Sequence, residues 1–153
     1  MDIRKVIVGG VCSIFFVMSG ASSSFAISSA NMGVINISGD RGGYLMAYAL
    51  KMMKLGQSKT PVQFTGSCDS ACTLYLALPR NQVCISSGAT FNFHLPYGAT
   101  PSGNRMAASY MLNSYPAWVR NWIRGRGGLT SQLISMDYAH ASRFMPTCKV
   151  ASN

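Results

Sequence analysis

The segment Gly66-Ser67-Cys68-Asp69-Ser70-Ala71-Cys72-Thr73 joins two stretches with different hydrophobic patterns. Before it, residues 62–65 alternate apolar and polar side chains, which is typical of a strand. From Ala71 the chain is apolar as far as Pro79, which indicates a short helix that the proline ends. A strand, a tight glycine turn and a helix in this order form the repeating unit of an α/β protein.

The same order occurs earlier in the chain. Residues 34–37 predict a strand, a glycine-rich turn follows at residues 38–43, and residues 44–55 predict a helix that ends at Gly56. Two further strands are predicted over residues 82–85 and 90–94. Because parallel strands joined by helices cross over with a right hand, we predict an α/β fold with a mostly parallel sheet in a single small domain.

The last third of the chain predicts loop and helix. Residues 95–104 contain two prolines and two glycines and should form an exposed loop. Helices are predicted over residues 105–112 and 116–124, the second with Pro116 in its first turn. Thr130 is a suitable N-cap for a further helix that continues to about residue 144.

The composition excludes several classes of function. The 153 residues include 13 Lys and Arg but only 4 acids, all of them Asp, for a net charge of +9. A glycosidase with two catalytic carboxylates would have to draw on this small set, and a carboxylate cage for Ca²⁺ or Mg²⁺ is close to excluded. With 48% hydrophobic and 11% charged residues, the chain has the composition of a folded protein. We expect no metal ion and no cofactor.

Residues 1–26 have the pattern of a secretory signal peptide. Arg4 and Lys5 precede an apolar run of about 13 residues, and small residues lead to a cleavage site after Ala26. A membrane anchor is the alternative, but a spanning helix needs about 20 apolar residues. We therefore predict a periplasmic or secreted protein with a domain over residues 27–153, whose 11 basic and 3 acidic residues give a net charge of +8.

Four cysteines remain in that domain, and their even number in an exported chain suggests two disulfides. Three connectivities are possible, and the sequence does not choose among them. A zinc site is the alternative, although only one pair has a ligand-like spacing and no His is adjacent. The four candidates are Cys68, Cys72, Cys84 and Cys148.

Ser70 and His94 are the candidate catalytic pair. Ser70 begins a predicted helix directly after a strand, and His94 is the last residue of the apolar strand predicted over residues 90–94. Each has an ordinary structural explanation, since Ser often caps helices. Because both are predicted at one edge of the sheet, they suggest a nucleophile and its general base. The turn at Gly39 and Asp40 could offer backbone N–H groups to an oxyanion there.

The order of these parts resembles the proteolytic subunit of Clp protease and the wider ClpP/crotonase superfamily. The resemblance covers about residues 34–148 and is closest to small exported Clp-like proteins of bacteria. It depends on an ordered set of motifs, namely Gly66-x-Cys68-x-Ser70-Ala71-Cys72-Thr73, Val83-Cys84, Phe93-His94, Pro116, Trp122-Ile123 and Gly127-Gly128-Leu129-Thr130.

The resemblance implies a ClpP/crotonase-like fold with Ser70 as nucleophile and His94 as base. The N–H groups of Asp40 and Ala71, beside Gly39, would then form the oxyanion hole. The chain departs from the family in two places. Its first turn reads Gly39-Asp40 where the family has Gly-Gly, and His140-Ala141 stand where the family has its catalytic Asp. Asp137, one helical turn earlier, is the candidate third member, and a water or a carbonyl is the alternative.

The leading interpretation is an exported Clp-like serine hydrolase, a peptidase acting on peptide or protein substrates. The alternative is a catalytically inactive ClpP-like scaffold that serves as a binding module of the periplasm or envelope. Three arginines near the end of one predicted helix indicate a solvated face whose charges complement the helix C-terminus. An anionic partner is the alternative; an exported protein meets little nucleic acid, so an anionic envelope surface is the better candidate. Methionines on the first helix suggest core or homo-oligomer packing rather than a metal site. These residues are Arg120, Arg124 and Arg126, and Met46, Met52 and Met53.

Overall fold

The computed structural model describes residues 33–149, which belong to one compact unit, Asn31–Asn153. The predicted signal peptide and its cleavage site after Ala26 lie outside the described residues. Within residues 33–149, no helix combines the length and the apolar composition that crossing a bilayer requires.

Strands and helices alternate through most of the described chain. The strands are β1 (Ile35–Asp40), β2 (Val62–Asp69), β3 (Val83–Ile85), β4 (Thr90–Phe93) and β5 (Ile134–Met136). The α-helices are α1 (Leu45–Ser58), α2 (Pro101–Ser114), α3 (Ala117–Gly125) and α4 (Tyr138–Ala141). Two 3₁₀ helices complete the set, a long one at Ser70–Ala77 and a short one at Arg80–Gln82.

The five strands form one mixed sheet with β2 at its centre. Its order is β1-β2-β4-β5, and β3 also pairs with β2. One edge of β2 is shared, since residues 62–64 pair with β3 and residues 67–69 pair with β4. β2 runs parallel to all three of its partners, whereas β4 and β5 are antiparallel. The predicted α/β class is therefore found, and the parallel character holds everywhere except at β5.

The core is formed by the sheet, the long 3₁₀ helix and the buried faces of α1, α2 and α3. Phe64 of β2 and Phe91 of β4 are fully buried, and their rings meet edge to face with centroids 4.8 Å apart. The long 3₁₀ helix is buried on nearly every side, from Ala71 to Leu76. A tight 3₁₀ winding is rarely sustained this long, and here it belongs to a segment that is almost wholly enclosed by the rest of the domain.

Both predicted turns at the sheet edge are shorter than expected. Ser38–Asp40 belong to β1 and Gly66–Asp69 belong to β2, so the strands continue through them. Gly66 explains the continuation, because a Cβ at this position would come within 2.0 Å of the Ser38 carbonyl oxygen. The glycine therefore permits a close approach of two strands, at an irregularity in their register between Ile37 and Gly39. The actual turns lie later, at residues 41–43 and at Ser70.

The predicted helix from Thr130 to about residue 144 is wrong. Ile134–Met136 form β5 instead, and a short helix follows at Tyr138–Ala141. Met136 is fully buried and lies opposite Phe91, so pairing with β4 overrides the local helical preference. α2 also begins earlier than predicted, at Pro101, because the Thr100 side chain accepts a hydrogen bond from the Gly103 N–H and caps the helix.

Two disulfides are present, as the cysteine count predicts. Cys68 bonds to Cys72, and Cys84 bonds to Cys148. The first joins the end of β2 to the long 3₁₀ helix, and the second ties β3 to the C-terminal segment, where Thr147 also bridges to Ile85. Cysteines paired in this way have no thiolate for zinc, which removes the alternative interpretation.

The two disulfides should differ in their effect on stability because they close loops of different length. Their cysteines are 4 and 64 residues apart. In the chain-entropy treatment, the short loop contributes about 2 kcal/mol and the long loop about 4 kcal/mol to the free energy of unfolding. We expect Cys84→Ala/Cys148→Ala to lower the urea midpoint more than Cys68→Ala/Cys72→Ala. The reverse order would show that local packing, not loop closure, dominates.

Candidate functional site

Ser70 stands where the chain reverses between β2 and the long 3₁₀ helix. Its φ is 55°, in the left-handed region, and Lys59 is the other non-glycine residue with positive φ among residues 33–149. This conformation costs an L-residue about 1–2 kcal/mol. A sharp strand-to-helix turn of this kind is where a nucleophile elbow places its serine.

The turn at residues 41–43 packs directly against Ser70. A Cβ on Gly42 would lie 2.4 Å from the Asp69 carbonyl oxygen and 2.9 Å from the Ala71 nitrogen. Gly42 also has a φ of 77°, so both the conformation and the space require glycine. The close approach brings the backbone of Gly42 and Gly43 to the start of the long 3₁₀ helix.

The carboxylate of Asp40 is engaged by the turn itself and by α1. Its Oδ1 accepts hydrogen bonds from the Gly42 N–H at 2.8 Å and from the Tyr48 hydroxyl at 2.5 Å. Burial, and then the hydrogen bond to Asp40, raise the pKa of Tyr48 well above its ordinary value. The phenol therefore stays protonated and donates to the carboxylate. This contact holds the end of β1 to the first turns of α1.

The ring of His94 is oriented by a backbone carbonyl. Its Nδ1 lies 2.7 Å from the carbonyl oxygen of Leu95, and Tyr97 packs on the ring at a centroid distance of 5.5 Å. Because a carbonyl oxygen can only accept a hydrogen bond, this contact places the proton on Nδ1. In the neutral ring this tautomer leaves the lone pair on Nε2, which is the form that a general base needs.

Ser70 and His94 line the same open cavity, which has a volume of about 760 Å³. Within residues 33–149, no hydrogen bond joins the Ser70 Oγ to a ring nitrogen of His94. Catalytic hydrogen bonds are often long in the unliganded state and tighten when substrate binds. The cavity also includes Ala71 and the turn residues Gly42 and Gly43.

The other predicted site residues lie outside this lining. Gly39 and Asp40 are in β1, and neither contributes to the cavity surface. Asp137 caps α4, where its Oδ1 accepts a hydrogen bond from the His140 N–H at 2.9 Å. Gly42 and Gly43 are the residues that the sequence analysis missed. The available signal is the Gly-Gly pair one residue after β1, which ends at Asp40, three residues beyond the predicted strand.

A buried hydroxyl pair supports Ser70 from the core side. Thr73 donates a hydrogen bond from its Oγ1 to the Ser70 carbonyl at 2.5 Å, and the same oxygen lies 2.6 Å from the Tyr115 hydroxyl. Since the Thr73 proton is already used, Tyr115 donates to Thr73. Burial raises the pKa of Tyr115 well above its usual range, so the phenol keeps its proton. The C-terminal cap of α2 is thus connected to the residue that turns the chain.

Apolar side chains form most of the cavity wall. Tyr97 and Met106 leave 82% and 73% of their surface exposed, values that are high for large hydrophobic residues. Arg41 is the one permanently charged residue of this lining. A concentration of exposed apolar surface in one concave site is typical of a binding site. Its exposed members are Tyr44, Met46, Tyr97, Met106 and Tyr110.

Comparison with protein-family models and with curated proteins found no match. Among solved structures, the chain is similar to a mutant of ClpP1 from Listeria monocytogenes, with 18% sequence identity and a TM-score of 0.45. The similarity covers 72% of this chain and 67% of that one. The functional proposal therefore depends on the residues of this chain itself.

The left-handed conformation at position 70 can be tested with two substitutions that both remove the hydroxyl. Alanine keeps the conformational cost, whereas glycine does not. We expect Ser70→Gly to be more stable than Ser70→Ala by about 1 kcal/mol in urea unfolding. The matched control is Ser109, an exposed residue inside α2, where glycine should instead be the less stable variant by about 1 kcal/mol. A Ser70→Ala variant more stable than Ser70→Gly would contradict the left-handed turn.

Proposed function

We propose that the chain is an exported ClpP-like serine hydrolase, a peptidase whose nucleophile is Ser70. One observation carries the proposal. A serine in the left-handed conformation at the end of the central strand shares a cavity with a histidine whose Nδ1 is held by a carbonyl. A strained residue at a sheet edge indicates a functional site, and the nearby base supplies the chemistry that a hydroxyl lacks.

The reaction follows from these groups. The Ser70 Oγ attacks the carbonyl carbon of the substrate while its proton moves to Nε2 of His94. The carbonyl electron pair moves to oxygen and forms a tetrahedral oxyanion. As the intermediate collapses, His94 returns the proton to the leaving amine and an acyl-enzyme remains on Ser70. Water then attacks the acyl carbon with His94 again as base, and Ser70 recovers its proton.

Gly43 and Ala71 are the residues that we assign to the oxyanion hole. The first N–H groups of a helix have no partner inside the helix, and Ala71 is the second residue of the long 3₁₀ helix. The N–H of Gly42 is already bonded to Asp40, which leaves Gly43 as the donor from the opposite turn. Gly43 thus takes the place that the sequence suggested for Gly39 and Asp40, which do not line the cavity, and Ala71 keeps its expected place.

A carbonyl takes the orienting role that a carboxylate has in a full triad. Leu95 holds the His94 tautomer through its backbone oxygen. A carbonyl stabilises the imidazolium less than a carboxylate does, and loss of the triad Asp costs about 10⁴ in rate. Asp137 does not take this role, because it follows Met136, which pairs with Phe91, whereas His94 lies beyond Phe93 at the other end of the β4–β5 pair. We expect slow turnover from a dyad, with acylation detected more easily than hydrolysis.

The cavity favours peptides that carry a bulky apolar side chain next to the scissile bond. Its wall is apolar and aromatic, and charged peptide groups would lose hydration there without gaining a partner. Among the lining residues, Arg41 is the charged exception.

The net charge of the chain also suits an anionic envelope surface as a neighbour. Two of the arginines are partly engaged within the fold: Arg120 donates to the Tyr115 carbonyl, and Arg126 lies over the Trp122 ring. A homo-oligomer remains compatible with the exposed methionines of α1, Met46 and Met53.

A catalytically inactive binding module is the second candidate. The observation that favours it is the missing hydrogen bond between Ser70 and His94 in residues 33–149. The same apolar cavity would then bind an extended peptide without cleaving it. The two candidates differ in one chemical property, the nucleophilicity of Ser70, and this property can be measured without knowing the substrate.

Labelling with a fluorophosphonate distinguishes the two candidates. We expect wild type to label and Ser70→Ala not to label, because the probe requires an activated serine. His94→Ala should lower the labelling rate by about 10² or more, the usual contribution of a general base. His140→Ala is the matched control, since His140 is the second histidine and lies on α4; its rate should stay near wild type. Equal labelling of wild type and Ser70→Ala, or none in either, rejects the hydrolase.

Substrate preference can be tested with paired fluorogenic peptides that carry Phe or Asp before the scissile bond. We expect kcat/KM at least about tenfold higher for Phe, because one buried apolar side chain contributes about 1.5–3 kcal/mol. Met106→Asp should reduce cleavage of the Phe peptide several-fold. Met53→Asp is the matched control, since Met53 is also an exposed methionine but does not line the cavity. Equal kcat/KM for the two peptides would show that the cavity does not select side chains.

A further inference from the structure

The Cys68–Cys72 disulfide brackets the proposed nucleophile. Cys68 is two residues before Ser70, at the end of β2, and Cys72 is two residues after it, in the long 3₁₀ helix. The Cα atoms of the two cysteines are 5.4 Å apart, and both residues are completely buried. The covalent loop therefore contains the left-handed residue at its centre.

We propose that this disulfide positions Ser70 for catalysis by keeping the chain reversed at the sheet edge. The inference rests on the hydrolase proposal. Cys68 pairs with Asp40 on one side of β2 and with Phe91 on the other, so one end of the bridge is fixed in the sheet. The other end fixes the 3₁₀ helix at Cys72. Between two fixed ends so close in sequence, the backbone must reverse at Ser70.

Noncovalent contacts leave Ser70 more freedom than this bridge does. Gly42 packs against the turn, and Thr73 donates to the Ser70 carbonyl, but both contacts are local and can be lost together if the turn opens. The conformational free energy of a non-glycine residue falls when it leaves the left-handed region. The disulfide opposes that relaxation, because the two ends of the turn cannot separate while the sulfurs are bonded.

The second disulfide provides a natural comparison. Cys84–Cys148 joins segments that are far apart in sequence, and neither cysteine lines the cavity. Its removal should lower the free energy of unfolding more than removal of Cys68–Cys72 does, and should change the conformation of Ser70 little. Burial of Cys68 and Cys72 keeps a thiol reductant from the sulfurs in the folded state, so we assign the bridge a permanent positioning role and not that of a switch.

The test compares Cys68→Ala/Cys72→Ala with Cys84→Ala/Cys148→Ala at a temperature where both are folded. We expect the first pair to lower the rate of Ser70 phosphonylation by at least roughly tenfold, since small misplacements of a reacting group cost up to about 10². For a peptide substrate, kcat should fall while KM changes little. The second pair should lower the melting temperature more, yet keep phosphonylation within about threefold of wild type. A general loss of structure would instead reduce both properties in parallel.

Amide hydrogen exchange gives a readout that does not need activity. Exchange at Thr73 and Leu74, which are buried inside the long 3₁₀ helix, should become at least about tenfold faster in Cys68→Ala/Cys72→Ala only, because the opened turn exposes these amides. If Cys68→Ala/Cys72→Ala does not fold, the variant Cys68→Val/Cys72→Ala is used in its place, because valine fills the buried space of Cys68. If wild type does not react with the fluorophosphonate, the hydrolase proposal is rejected. Amide exchange would then still show whether the Cys68–Cys72 bridge holds the turn. Unchanged exchange together with unchanged phosphonylation in the first pair overturns this inference alone.

Discussion

The reversal of the chain at Ser70 is the constraint on which the rest of the site depends. β2 is the central strand, and a buried 3₁₀ helix begins at the residue after its end. The reversal requires a left-handed residue, a glycine at position 42 to make room for it, and contacts that hold both sides. Once it is fixed, Ser70, the backbone of Gly43 and Ala71, and the cavity wall are brought to one edge of the sheet.

The scarcity of acids explains why the site relies on backbone groups. The described residues contain three carboxylates, and each has a structural partner. Asp40 accepts from Tyr48, Asp69 accepts from Asn92 at 2.5 Å, and Asp137 caps α4. None of them lines the cavity. The His94 ring is consequently held by a carbonyl, and the proposed oxyanion contacts are backbone N–H groups, so the proposed mechanism is a dyad with the lower rate expected of one.

Local patterns in the sequence were sufficient to predict the α/β class, the strand before Ser70 and the number of disulfides. What they did not predict depends on contacts between distant residues. β5 forms because Met136 fills the core beside Phe91, against a local helical preference. The extra length of β1 and β2 depends on Gly66 approaching Ser38. Because the predicted first strand ends three residues before the end of β1, the predicted turn is displaced by three residues. The expected oxyanion donor is displaced in the same way, from Gly43 to Asp40.

A structure of the protein after reaction with a small fluorophosphonate tests the central claim most directly. We predict phosphorus bonded to the Ser70 Oγ, the phosphoryl oxygen within about 3 Å of the N–H groups of Gly43 and Ala71, and Nε2 of His94 within hydrogen-bonding distance of the Ser70 Oγ. Ser70 should keep its positive φ. An adduct on another residue, or a phosphoryl oxygen directed away from both N–H groups, would contradict the account.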